Sequence, residues 1–134
     1  MTACVLDTDV VIAALDRRDA HHARAAGMLR EMIASDVERL LSTVNYAEAL
    51  VRPAEDEQRL RTAVDAIDAL GIKLVDPTPT VARDAARLRA SNISLADGFA
   101  LATARSSGAV LASFDRRVQR ALSSAGIELA PALR

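Results

Sequence analysis

A chain of 134 residues, 51% hydrophobic and 26% charged, holds one core of two or three packed layers and excludes separate substrate and cofactor domains. A single cysteine, Cys4, excludes an internal disulfide and a cysteine-based zinc site, and the adjacent His21 and His22 make a poor imidazole cage. With 17 basic against 18 acidic side chains, one Tyr and two Phe, there is no broad basic or aromatic platform for nucleic acid. No stretch approaches the roughly 20 apolar residues of a bilayer span, and no signal-peptide pattern opens the chain; a cytoplasmic protein without a membrane partner is expected.

Taken in chain order, β-type runs at 3–6, 39–42, 72–75, 109–113 and 127–129 alternate with helical spacing at 10–15, 20–34, 44–51, 54–70, 80–90, 95–105 and 116–124. Strands separated by helices pair in parallel. The expected architecture is therefore α/β: one domain over residues 1–134, a small doubly wound parallel sheet of about five strands with helices on both faces. Gly71, Gly108 and Gly126 fall where a helix should stop before the next strand. The most polar stretch, PAEDEQRLR at 53–61, reads as the start of a solvated helix, with Pro53 at the first turn and Glu55, Asp56 and Glu57 favouring the dipole.

In such a sheet ligands bind outside the carboxyl ends of the strands. The first strand runs into Asp7-Thr8-Asp9, the second leads into a helix carrying Glu48, and the fourth runs through Ser113 to Asp115. Asp97 is the only charge between Ile93 and Ala104. Each acid has an ordinary explanation as a helix cap: Ser94 to Asp97 fits a capping box, Asn45 to Glu48 is a near version, and Asp9 or Asp115 would cap the helix that follows. Burial argues for more. Glu48 falls between Val44 and Val51 on the face expected to pack on the sheet, and Asp97 opens a helix whose Leu95, Phe99, Leu101 and Ala102 cover most of its circumference. Clustered carboxylates raise one another's pKa values, and a bound divalent cation relieves them. Oxygen donors alone select Mg²⁺ or Mn²⁺, which suits hydrolysis of a phosphodiester by an activated water.

Three segments, VLDTDVVIAAL, STVNYAEAL and SLADGFALATA followed by GAVLASFDRR, resemble the acidic motifs of the PIN-domain ribonucleases, in particular the VapC-type toxins of bacterial toxin–antitoxin pairs. The resemblance spans essentially the whole chain. It implies that Asp7, Glu48, Asp97 and Asp115 are the metal-binding and catalytic acids, with Asp7 and Asp97 as direct ligands of Mg²⁺ or Mn²⁺, and that Ser113 orients a water or a carboxylate. It further implies a homodimer, cleavage of structured RNA such as transfer or ribosomal RNA, and neutralisation by a VapB-like antitoxin.

Some residues depart from the family's pattern. Asp9 stands where Ser or Asn is common and is either an additional ligand or a cap; Gly98 replaces a commoner Ala. Arg116 and Arg117 follow the last acid, where they meet RNA phosphate or an antitoxin carboxylate or merely form a solvated helix face. His21 and His22 belong to a surface helix expected to lie remote from the rim, and Cys4 reads as a small buried hydrophobe. Two other readings stay open. Asp7-Thr8-Asp9-Val10-Val11 also resembles the opening of haloacid-dehalogenase-like phosphatases, with Asp7 as nucleophile, but Lys73 lies inside a strand where it cannot serve the site. A non-catalytic receiver-like module would use Asp76 and lacks the lysine that fold requires.

Overall fold

Strand β1 (Ala3–Leu6) is the centre of the molecule, with Cys4, Val5 and Leu6 all fully buried, as a strand covered on both faces requires. The computed structural model describes residues 2–134. β2 (Glu38–Ser42) and β3 (Ile72–Val75) extend the sheet on one side of β1, and β4 (Val110–Ala112) on the other, giving the all-parallel order β3-β2-β1-β4. The chain thus steps outward from β1 to β3 and then crosses back to the far side of β1. That reversal opens a crevice at the carboxyl ends of β1 and β4.

Among the described residues, seven helices connect and flank the strands: α1 (Thr8–Leu15), α2 (His22–Ala34), α3 (Thr43–Ala49), α4 (Glu57–Ala69), α5 (Pro79–Leu88), α6 (Leu95–Ser107) and α7 (Arg116–Ala125). Because strand side chains alternate between faces, the sheet divides the core in two. Cys4, Leu6 and Leu41 pack with Val10, Leu29 and Met32 on one face, and Val5, Leu40 and Leu111 pack with Leu101, Val118 and Leu122 on the other. This is the doubly wound α/β domain expected.

Two local differences have plain causes. The run at 127–129 makes a single bridge, Leu111 to Leu129, fixed by Leu111 N–H to Glu128 O at 2.9 Å and Ala130 N–H to Leu111 O at 2.8 Å. A 3₁₀ turn at Pro131–Leu133 ends it, so the sheet has four full strands. The polar stretch at 53–61 holds a 3₁₀ turn, Pro53–Glu55, before the helix proper; Asp56 then caps α4 by accepting from Arg59 N–H. Gly71, Gly108 and Gly126 stand just past α4, α6 and α7 at φ of 67°, 63° and 72°, the left-handed stop that their positions predicted.

α5 and α6 pack tightly at Gly98, where an added Cβ would lie 2.6 Å from the carbonyl oxygen of Ala85. Gly98→Ala forces backbone apart, and we expect it to cost roughly 1–3 kcal/mol of stability; an unchanged denaturation midpoint would show that the two helices separate freely.

Candidate active site

β1 ends at Leu6, and the next residue delivers its carboxylate to the crevice. Asp7 N–H donates to Ala112 O at 2.9 Å, which ties the end of β1 to the end of β4. The Asp7 side chain is 2% exposed. It caps α1 by accepting from Thr8 N–H at 2.9 Å, and it accepts from the Ser113 hydroxyl at 2.7 Å. Burial, reinforced by the charges of Asp9 and Asp97, pushes Asp7 up to about 7 against the lowering effect of the Ser113 and Thr8 hydrogen bonds. Ser113, itself fully buried, therefore orients a carboxylate, and its Oγ also accepts from Asp115 N–H at 3.2 Å.

Asp9 is not the cap of α1; Asp7 has that role. Within the first turn of the helix, Asp9 Oδ2 accepts from Phe114 N–H at 3.0 Å, while Oδ1 is buried without a partner among the described residues. Burial raises Asp9 to about 6, the Phe114 hydrogen bond opposes this, and the charges of Asp115 and Asp97 add to it. An orphaned carboxylate oxygen in an apolar setting costs free energy unless something meets it.

Asp115 caps α7, accepting from Arg117 N–H at 2.8 Å, with Arg117 Nη2 at 3.7 Å from its second oxygen. Asp97 and Ser94 form the expected capping box: Asp97 N–H donates to Ser94 Oγ and Ser94 N–H donates to Asp97 Oδ2, both at 3.1 Å. Asp97 is half-buried. Its cap role and its place beside Asp7 and Asp9 coexist, since one oxygen serves the helix and leaves the other open.

Glu48 departs from expectation. The helix stops at Ala49, so Val51 lies beyond it, 64% exposed, and cannot define the buried face. That face is Asn45 and Ala49, and Glu48 is exposed. Nor does Asn45 cap the helix: Ser42 does, accepting from Val44 N–H. Asn45 is fully buried, and its Nδ2 donates to Thr8 Oγ1 at 3.0 Å and to Ala96 O at 3.1 Å, pinning α3 to the residues beside Asp7 and Asp97. Its Oδ1, like Asp9 Oδ1, has no partner. The sequence suggests a cap for Asn45, although its place four residues before Ala49 on one helix face also signals burial.

His21 is not remote from the rim. A turn in which Asp16 accepts from Arg18 N–H and Asp19 from His21 N–H folds α2 back, and the His21 ring stacks on Phe114 with centroids 4.3 Å apart and planes at 11°. His21 thus abuts the residue that holds Asp9. His22 is turned away, its Nδ1 2.7 Å from Ala13 O. Cys4 is buried as expected, its thiol pushed up to about 12.

The donor chemistry fits a hard divalent cation: oxygens only, two carboxyls raised by crowding and burial, and one buried oxygen unpartnered. Among the described residues, no three His, Cys, Asp or Glu side chains already converge to ligating distance. The chain's sole lysine, Lys73, sits on edge strand β3, two strands from β1, 3.9 Å from Glu38. A phosphatase site at Asp7 therefore lacks its lysine, and Lys73, lying on β3 before Asp76, does not supply the late lysine of a receiver.

The sequence profile of the PIN domain matches residues 4–122, and the chain belongs to that family. Solved structures of VapBC toxin–antitoxin proteins share its fold. A chain of VapBC2 from Rickettsia felis, solved bound to a DNA fragment from its promoter, superposes with a TM-score of 0.75 at 14% identity, over 96% of this chain and 98% of that one. VapC20 from Mycobacterium tuberculosis, a toxin that cleaves the sarcin–ricin loop, gives 0.70 at 17%, over 88% and 94%. FitAB, solved bound to an IR36 DNA fragment, gives 0.73 at 21%, over 98% and 96%. No curated protein matches in sequence.

Proposed function

We propose that this chain is a VapC-like endoribonuclease that hydrolyses phosphodiester bonds of structured RNA, dependent on Mg²⁺ or Mn²⁺ and silenced by a VapB-like antitoxin. One observation carries the reading: at the topological switch point Asp7 lies in the field of Asp9 and Asp97, and Asp9 in that of Asp115 and Asp97, with a buried oxygen of Asp9 left unpartnered among the described residues. Asp7, Asp97 and Asp115 would hold the cation, Asp9 adding its free oxygen and Glu48 joining from the solvent side. Once bound, the cation supplies Lewis acidity and an activated water for in-line attack at phosphorus.

The chain's own residues do the positioning. Ser113 and Thr8 fix both oxygens of Asp7, Asn45 locks α3 against α1 and α6, and the Ser94 box orients Asp97. The same acidic crevice suits capture of an arginine or lysine from an inhibitory partner, which would crowd out the cation. The fold's VapBC neighbours support such a partner, and a homodimer belongs to the same reading. The test is incubation of purified, partner-free protein with total bacterial RNA in Mg²⁺, in Mn²⁺ or in chelator, followed by sequencing of new ends. Discrete new ends with metal and none with chelator are expected; intact RNA in both metals would sink the assignment.

A further inference from the structure

Beside the acidic crevice lies an open cavity of about 550 Å³ whose charge is opposite. Its walls carry His21 and Arg24 from the start of α2, Phe114, and Arg116, Gln119 and Arg120 from α7. Arg24 stands over the Phe114 ring, its guanidinium carbon 5.8 Å from the centroid. Among the described residues, Arg24, Arg116 and Arg120 pair with no carboxylate, whereas Arg105, Arg117 and Arg134 each do. Gln119 is already committed, its Nε2 donating to Ser113 O at 2.7 Å, so it fixes the wall rather than reaching into the cavity.

Three unpaired guanidiniums around one cavity repel each other and stabilise an anion placed between them. A second cavity of about 260 Å³, lined by Ser91, Asn92, Arg117 and Ser124, shares Arg120 with the first. Arg120 lines both, so the two cavities adjoin along α7 as a basic track, which fits a polymer of phosphates better than one small anion. Phe114 joins this track to the catalytic side, its ring lining the cavity while its N–H holds Asp9.

We propose that this track is the subsite for the substrate strand next to the scissile bond, with Arg24, Arg116 and Arg120 on its phosphates and the exposed face of the His21–Phe114 stack available to a base. The proposal rests on the nuclease reading for its substrate class, RNA. It also resolves a difficulty of charge: a protein of net charge −1 binds a polyanion by a local track, without a basic surface overall.

The test measures binding apart from cleavage. In an Asp7→Asn background with Mg²⁺, the Kd of a labelled single-stranded oligoribonucleotide is titrated against salt for the parent, Arg24→Gln, Arg120→Gln, the double variant, Arg120→Lys, and Arg61→Gln on the distant helix α4. The double variant should bind about ten-fold or more weakly, with a log Kd against log salt slope reduced by about 0.7 per lost phosphate contact. Arg120→Lys should restore most of the affinity, and Arg61→Gln should stay within about two-fold. Arg24 makes no hydrogen bond, so its single variant keeps the test valid should the double variant fail to fold. Equal Kd and equal slope in folded variants overturn the proposal, as does arginine-dependent binding of poly-glutamate with RNA binding unaffected, which would make the track a protein-docking site. Parent protein that binds RNA through these arginines while the wild type cuts no RNA removes the nuclease reading and leaves the track standing.

Discussion

Asp7→Asn should abolish metal-dependent RNA cleavage, with kcat falling roughly 10²–10³-fold or more, while the fold survives. Asparagine is isosteric with aspartate, and its carbonyl still accepts from Thr8 N–H, so the cap of α1 and the tie to β4 remain. The Ser113 hydroxyl can turn to accept from the new amide, because a hydroxyl is both donor and acceptor. What is lost is the charge, and with it the carboxylate that Asp7 would offer a cation. Asp97→Asn should behave alike, and Asp9→Asn should fall between these and wild type, since it keeps an acceptor for Phe114 N–H. Cleavage rates measured beside circular dichroism decide the matter: a folded Asp7→Asn that cuts at the wild-type rate removes the acidic crevice as the active site.

Much of this site was legible because strands, caps and acids obey local rules. The strand at 3–6 is apolar throughout and opens directly into Asp7, and Ser94 and Asp97 carry a capping box in four letters. What failed were inferences that needed a helix end or a turn to be placed to the residue. Extending α3 by two positions to Val51 turned Glu48 inward on paper, whereas termination at Ala49 buries Asn45 instead. His21 looked remote because helical periodicity carries no information about where a six-residue turn returns the chain. The basic track was invisible for a related reason: its arginines come from α2 and α7, almost a hundred positions apart, and only folding sets them around Phe114.

The metal-free protein should lose stability as pH rises from about 4 to about 8, and divalent cations should reverse that loss. Unfolded, Asp7 and Asp9 titrate near 3.8; folded, they do so near 7 and near 6. Between those values the native state keeps protons that the unfolded chain has released, so the free energy of unfolding falls with pH and the penalty is complete above about 7. For Asp7 alone the shift corresponds to a penalty on the order of 2–4 kcal/mol. Asp7→Asn cannot ionise there, so at pH 8 it should melt above wild type by several degrees, and the difference should vanish near pH 4. Mg²⁺ or Mn²⁺ at millimolar concentration should raise the wild-type midpoint at pH 8 by mass action, and raise it much less in Asp7→Asn. A wild-type midpoint that is flat from pH 4 to pH 8 and indifferent to either cation would mean that Asp7, Asp97 and Asp115 serve only as helix caps and share no charge burden with Asp9.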